Sequence, residues 1–373
     1  MSADGARSVL VMASVRWYNA SAHYALFLAR ALAAAGHHAV VLGLPGSPIV
    51  ERARAADIPV VEDVNLAASA PWALARNVAG FRRALRGHGI DIIHAHFSRD
   101  HTFAAVARAG MGVPIVRTRS ETNPPKTHLL NRLQYRHTAE AYTVPGAHLV
   151  PVIASLGVPV DRITSIPLAI DRRAFVAQRT NVDVRRALGI PRKRLVVTHL
   201  GRLHAVKGVE HFVRSYQYLK NPGRFHFLIT GEEIDVRIED LRRIALDIGA
   251  SQVTIIGREY DARDILAATD IGAIPSLGSE AICRVALEMF ACGIPVVGTA
   301  IGSIPETIGA YGGRVVPPAD PRAMAEAIED IAEPKAFRAA RASIEAGRAR
   351  HTEEKFLASN LAVYSSIGRE GMS

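Results

Sequence analysis

Residues 194–219 read Arg194-Leu-Val-Val-Thr-His-Leu-Gly201-Arg-Leu-His-Ala-Val-Lys207-Gly208-Val-Glu-His-Phe-Val-Arg-Ser-Tyr-Gln-Tyr-Leu219. A β-branched run from Arg194 to Leu200 ends in a glycine turn, and two cations five residues apart precede a helical pattern from Val209. A buried strand that feeds a loop and then a helix is the repeating unit of a parallel sheet covered on both faces. Downstream, the same signal recurs at Phe225–Thr230, Val253–Ile256, Ile271–Ile274 and Pro295–Gly298. Upstream, Ser8–Ser14, His38–Gly43, Ile58–Val61, Ile90–His94 and Pro114–Arg117 form an earlier set. Between strands, Tyr24, Phe27, Leu28, Ala31, Leu32 and Ala35 keep the apolar spacing of a helix that Gly36 stops, and Trp72–Arg86 reads as a basic amphipathic helix.

The expected class is therefore α/β, with two Rossmann-like domains facing across a cleft and a ligand at the carboxyl ends of the strands. A chain of 373 residues is long enough for two ordinary domains. Ile163–Phe175, with Pro167 and the Asp171-Arg172-Arg173 cluster, reads as a hinge. The expected boundaries are 1–170 for an N-terminal domain, 171–350 for a C-terminal one, and 351–373 for a final helix packing back on the first. Neither a short-period repeat nor a low-complexity tract is present, which excludes a solenoid.

Composition narrows the class further. Two cysteines, Cys283 and Cys292, exclude a disulfide framework and a cysteine zinc site, and point to a reducing compartment. Met1–Arg7 carries no basic region followed by a long apolar stretch, and no run approaches the roughly 18 apolar residues of a membrane span. A cytoplasmic protein is expected. Charge is uneven: residues 1–180 carry 20 Lys and Arg against 11 Asp and Glu, a net of +9, while 181–373 carry 25 against 24. The first half suits an anionic partner, whether nucleic acid, an acidic membrane surface or a phosphorylated acceptor. Because 39 of the 45 basic residues are Arg, an arginine-favouring genome is the competing account.

Two stretches carry chemistry. Gly201 lets backbone approach a ligand closely, the helix after Gly208 offers its N-terminus, and Arg202 and Lys207 supply charge for a diphosphate. The second stretch, Pro275–Glu306, places Glu280 in a loop after a strand and Glu288 inside the following helix, with seven residues between them. Two carboxylates so spaced flank the backbone amides of a helix start, and carboxylates accept from hydroxyls. Neither an Asp-x-Asp motif nor a His/Cys cluster with metal-ligand spacing occurs, so no metal and no cofactor is expected.

These stretches resemble a family 4 glycosyltransferase of the GT-B fold, a retaining class that uses nucleotide sugars. Matching elements run along the chain: the opening strand and loop, Asp91-Ile-Ile-His94-Ala-His96, Ile166-Pro-Leu-Ala-Ile-Asp171, Gly201-Arg-Leu, Lys207-Gly, Ile229-Thr-Gly231-Glu, Ile256-Gly-Arg258, Ala268-Thr-Asp270 and Glu280…Glu288. The resemblance implies a nucleotide diphosphate sugar as co-substrate. It implies that Arg202 and Lys207 clamp the diphosphate, Glu288 bonds the ribose, Glu280 reaches the transferred sugar, and backbone near Arg258 reads the base. By the same resemblance the leaving phosphate takes the acceptor's proton, so no protein nucleophile is required. Glu280, Arg202 and Lys207 are the catalytic candidates, and Gly201, Arg258, Ala281, Ile282, Cys283 and Glu288 join them in donor binding.

The chain departs from the family pattern at three places. A Gly-Gly pair in the first loop is replaced by Trp17-Tyr-Asn19-Ala-Ser21-Ala22, where Asn19 or Ser21 can cap the helix or supply side-chain bonds. After the first glutamate, Gly-Phe-Gly becomes Ala281-Ile282-Cys283. Ser120, in Val116-Arg117-Thr118-Arg119-Ser120-Glu121, stands near the position of the usual sugar-contacting histidine, for which His94 and His96 are the substitutes at hand. Asn19, Ser21, His94, His96, Arg117, Arg119, Ser120 and Lys126 are the acceptor-side candidates. From Arg117 to His137, cations including Lys126, Arg132 and Arg136 alternate with Leu129, Leu130 and Leu133. This segment either holds a phosphorylated or lipid-linked acceptor or forms a solvated helix with an ordinary core stripe.

The expectation is a transferase moving a sugar to an envelope glycan or lipid-linked acceptor, in lipopolysaccharide or exopolysaccharide synthesis. It would be cytoplasmic or peripheral on an anionic membrane surface, bound through the helix with Arg76, Arg82, Arg83 and Arg86 or the segment with Lys126, Arg132 and Arg136. A nucleotide-sugar-binding protein without efficient turnover is the first alternative. A nucleic-acid-binding protein ranks last and nucleic acid is not an expected partner, since no zinc-finger pattern or aromatic-rich binding sheet accompanies the charge.

Overall fold

The chain's Val/Leu/Ile-rich runs become two wholly parallel sheets in the computed structural model, which describes residues 5–68, 70–121, 125–170, 175, 181–278, 280–347 and 349–367. It divides into Met1–Leu168 with Glu353–Ser373, and Ala169–Thr352. In the first unit, β1 (Ser8–Ala13), β2 (His38–Gly43), β3 (Val60–Val61), β4 (Ile92–Ala95), β5 (Ile115–Thr118), β6 (Ala141–Val144) and β7 (Ile163–Ser165) lie in the order β3-β2-β1-β4-β5-β6-β7. In the second, β8 (Leu195–Leu200), β9 (Phe225–Thr230), β10 (Val253–Ile256), β11 (Ile271–Ile274), β12 (Val296–Thr299) and β13 (Arg314–Val316) lie in the order β10-β9-β8-β11-β12-β13. Both units are doubly wound, so each has a topological switch point, between β1 and β4 and between β8 and β11.

Burial on both faces explains the unbroken apolar runs. Val9 to Met12 in β1 have no exposed surface, and neither does Phe227 to Ile229 in β9. In the first unit the Ala20–Ala34 helix turns Tyr24, Leu28 and Leu32 inward, and Phe356 of the Glu353–Ile367 helix meets Tyr24 edge-on at 5.1 Å. The C-terminal helix is thus part of the first unit's core. In the second unit Phe212 stacks on Phe227 at 4.5 Å, seating the Val209–Ser215 helix on the sheet.

Three strands carry no sequence signal of their own. β7 and β13 are three-residue edge strands, and β6 is four residues between Glu140 and Pro145. Ile163–Ser165, expected to begin a hinge, is β7; the Asp171-Arg172-Arg173 cluster lies outside the described residues. The helix from Val209 ends at Ser215 and continues as a 3-10 turn, Tyr216–Tyr218.

Candidate active site

Both loops that flank the second unit's switch point are held rigidly against each other. After β8, Gly201 donates its N–H to the Thr230 carbonyl at 3.0 Å, and Leu203 donates to Glu232 at 2.8 Å. Gly208 has φ +65°, and a Cβ there would run into the Pro275 carbonyl oxygen, so only glycine lets this loop pass the one after β11. Leu277 donates its N–H to Val206 at 2.8 Å across the same junction. The result is a fixed platform that exposes Arg202 and directs Lys207 toward the second loop.

There Lys207 Nζ pairs with Glu280 Oε1, with both side chains mostly buried. Ser276 Oγ donates to the same carboxylate oxygen at 2.6 Å, and the Ser276 carbonyl in turn accepts from Thr299 Oγ1 at 2.5 Å. The Glu280 carbonyl accepts from Ser303 N at 2.8 Å, and a Cβ on Gly302 (φ +54°) would collide with that carbonyl. Glu280 is therefore positioned through its backbone and its side chain at once. A carboxylate so placed holds a cation and keeps lone pairs with which it can accept from a hydroxyl.

Ala281, Ile282 and Cys283 are buried. Cys283 has φ +51° and ψ +47° at the start of the Arg284–Ala291 helix, a left-handed conformation that explains the glycine expected there. Burial, with Glu280 nearby, pushes its thiol well above the ordinary value. Glu288 lies within that helix, nearly buried, and Arg284 Nε reaches its Oε1 at 3.3 Å. Arg258 is exposed beyond β10, next to Gly257, whose carbonyl accepts from Thr230 Oγ1 at 2.7 Å.

Sequence reasoning missed three residues here. Ser276 stands four before Glu280, and Arg284 stands four before Glu288 on one helix face, a spacing that signals a pair. His199, buried two residues before Gly201, is pushed down to about 4 by burial and the nearby Lys207 ammonium, so it stays neutral beneath the cationic loop.

In the first unit the candidates gather around the carboxyl ends of β4 and β5. Asn19 Oδ1 accepts from Ala22 N at 2.9 Å and caps the Ala20–Ala34 helix, while Ser120 Oγ donates to Ser21 Oγ at 2.6 Å. His94 is fully buried between Tyr364 Oη and Thr118 Oγ1, both at 2.6 Å, and burial with the Arg117 charge pushes it down to about 3. His96 stacks on it at 4.6 Å and is equally buried. Arg117, wholly enclosed, donates to Glu121 Oε1 and to the Thr118 carbonyl at 2.5 Å each. Arg119 lies 3.4 Å from both Glu121 Oε2 and Tyr135 Oη. Burial favours a proton on Glu121, yet the two guanidiniums outweigh it and hold that carboxyl below its ordinary value. Lys126 is exposed ahead of the Leu129–His137 helix, and Thr122, Asn123 and Pro124 lie outside the described residues. Leu129, Leu130 and Leu133 face solvent, so the core-stripe account of this helix does not hold.

Two Rossmann-like units in one chain, each with its polar cluster at the carboxyl ends of its strands, define the GT-B class of fold. Residues 21–174 match the model described as Glycosyltransferase Family 4, and 194–333 match Glycosyl transferases group 1. Together these cover most of the sequence, and the chain belongs to the family 4 glycosyltransferases. A D-inositol 3-phosphate glycosyltransferase of Saccharomonospora viridis is 25% identical over 268 residues, taking in 65% of this chain and 62% of that protein. The match thus spans less than two thirds of that relative's length. Among solved structures, a glycosyltransferase from Rickettsia africae superposes with a TM-score of 0.84 at 18% identity, covering 98% of this chain and 99% of that one. Anabaena HepE in complex with UDP gives 0.84 at 17% identity, covering 96% of this chain and 100% of that one.

Proposed function

We propose that the protein is a retaining glycosyltransferase that moves a sugar from a nucleotide diphosphate donor to an envelope glycan or lipid-linked acceptor. The observation that carries this reading is the Ser276–Glu280–Lys207 cluster at the second unit's switch point, with Arg202 exposed on the adjoining platform. When the diphosphate arrives, Lys207 and Arg202 neutralise it, and Glu280 is released to accept from the sugar's hydroxyls. Glu288, oriented by Arg284, accepts from the ribose, and backbone beside Arg258 reads the base. The C1–O bond to the diphosphate breaks as an acceptor oxygen attacks the same face. The acceptor's proton passes to the departing phosphate, so the step needs stabilised charge rather than a protein nucleophile. HepE was crystallised with UDP, which supports a uridine donor as the first to try.

The first unit supplies the acceptor side, with Asn19, Ser21, Ser120, Arg119 and Lys126 as its polar groups. A relative named for an inositol phosphate substrate fits the argininyl character of this end, and a phosphate on the acceptor would suit it. His94, held on both ring nitrogens, acts through Thr118 and Tyr364 rather than on substrate. Peripheral attachment to an anionic membrane belongs to the same reading; among the described residues no helix is long and apolar enough to cross one. A binding protein without turnover is the second reading, favoured by the altered first loop and by Ser120 at the histidine's place.

The test is incubation with UDP-, GDP- and ADP-sugars followed by proton NMR. Slow release of nucleoside diphosphate, with α-configured product from an α-linked donor, is expected. Stoichiometric binding without release of nucleoside diphosphate would leave the binding protein as the reading.

A further inference from the structure

We propose that the outward face of the Leu129–His137 helix docks on an anionic lipid bilayer. Toward the protein the helix turns Gln134 and Tyr135: Gln134 Nε2 donates to Thr102 Oγ1 at 2.8 Å, and Tyr135 is buried in a stack on Tyr142 at 5.4 Å. Toward solvent it turns Leu129, Leu130 and Leu133, which are 70%, 75% and 43% exposed. Single exposed leucines are ordinary, but three on one nine-residue helix that is anchored through Gln134 and Tyr135 form a surface awaiting a partner.

Charge identifies the partner. Arg132 and Arg136 are exposed on the same helix, Lys126 and His128 are exposed just ahead of it, and no acid occurs between Glu121 and Glu140. An apolar centre with a cationic rim fits lipid acyl chains beneath anionic headgroups. A second copy of the chain fits poorly, because a symmetric contact would bring the same arginines face to face. Neighbouring helices expose apolar side chains as well. The Gln134–Thr102 bond sets this helix beside Ser98–Ala107, on which Val106 is exposed. Beyond that, Arg82 of the Pro71–Gly87 helix donates to the Ala107 and Ala109 carbonyls at 2.8 and 2.9 Å, and the same helix exposes Trp72 and Leu74. Arg82 is thus occupied by carbonyls, and Arg83 pairs with Asp63 at 2.5 Å, so these two are not the lipid-facing cations. Arg132 and Arg136 are.

This inference deepens the proposed function and rests on its membrane-associated part, but vesicle binding needs neither donor nor transfer. A protein that turns over donor and ignores vesicles sinks the docking claim alone; one that binds vesicles and takes no nucleotide sinks the transferase reading alone. The experiment is co-sedimentation of the full chain with phosphatidylcholine vesicles, with and without phosphatidylglycerol. Wild type should bind only the anionic vesicles. Leu129→Ser/Leu130→Ser/Leu133→Ser should lose roughly 10-fold or more in partitioning, and Arg132→Gln/Arg136→Gln about 25-fold at low salt. Leu246→Ser, which changes a lone exposed leucine of the second unit, should bind as wild type does. The proposal is overturned if wild type stays in the supernatant, or if the triple serine variant sediments equally. A dimer in sedimentation velocity that the triple serine variant abolishes would overturn it as well, by making a second copy the partner.

Discussion

Changing Glu280 to Gln should separate nucleotide binding from sugar transfer. Lys207 pairs with Glu280, and Ser276 donates to the same oxygen at 2.6 Å. A hydrogen bond to a charged group contributes about 1.5–3 kcal/mol. With both side chains mostly buried, solvent screens this pair little, though part of its strength is retained when a diphosphate shares the ammonium. Glutamine keeps the shape and the Ser276 bond, but removes the charge that holds Lys207 and repels phosphate. Freed by about 1 kcal/mol or more, Lys207 should bind a nucleoside diphosphate several-fold more tightly, while transfer falls roughly 10- to 100-fold for want of the sugar contact. Glu288→Gln should do the reverse to binding and weaken the nucleotide roughly 10-fold, since its proposed partner is the ribose. Isothermal titration with the nucleoside diphosphate alone reads both. Equal losses of affinity in the two variants would refute the division of roles.

Other expectations follow from the same geometry. Cys283→Val, a β-branched residue at φ +51°, should cost about 2 kcal/mol or more in urea unfolding, while Cys283→Gly stays within about 1 kcal/mol of wild type; equal stability for valine would show that the backbone there is not strained. Gly208→Ala, at φ +65° and against the Pro275 carbonyl, should abolish donor turnover and lower the melting point; a fully active variant would show that the two loops are not packed as described. Arg284→Leu should raise the donor KM more than it lowers kcat, because it orients Glu288 in ground and transition state alike; an unchanged KM counts against that role. Acid should be destabilising. His94 and His101 are pushed down to about 3 and His199 to about 4, chiefly by burial, so all three are neutral in the fold and take protons only on unfolding below about 6.5. The stability they confer is present above that pH and is lost as pH falls, by about 1.5 kcal/mol each between 6.5 and 5. Asp100, whose burial raises its carboxyl to about 6, runs the other way and returns about 1 kcal/mol. A urea midpoint unchanged from pH 7 to pH 5 would contradict this.

The alternation of strand and helix was legible because parallel strands buried on both faces must be apolar throughout, as Val9–Met12 and Phe227–Ile229 are. The donor loops were legible because glycine, cation and carboxylate fall at fixed spacings along one short stretch. What stayed hidden depends on distant partners or on direction. Nothing near His94 in sequence announces Tyr364, 270 residues away, which makes the histidine a clamp on the C-terminal helix. Periodicity reveals that Leu129, Leu130 and Leu133 share a face, but not whether the face points inward; that was decided by Gln134 finding Thr102 and Tyr135 stacking on Tyr142. Strands as short as β7 and β13 exist only because a neighbour pairs with them.

The most direct test of the account is a melting curve of wild type and Lys207→Ala against UDP, GDP and ADP and their sugars. A ligand that binds only the folded protein stabilises it by about 2.7 kcal/mol at one hundred times its Kd. One nucleotide class should raise the wild-type melting point well above the others, and Lys207→Ala should need roughly 10- to 100-fold more of it for the same shift. If no nucleotide at millimolar concentration moves the wild type, or the variant responds identically, the loops after β8 and β11 do not hold a nucleotide diphosphate.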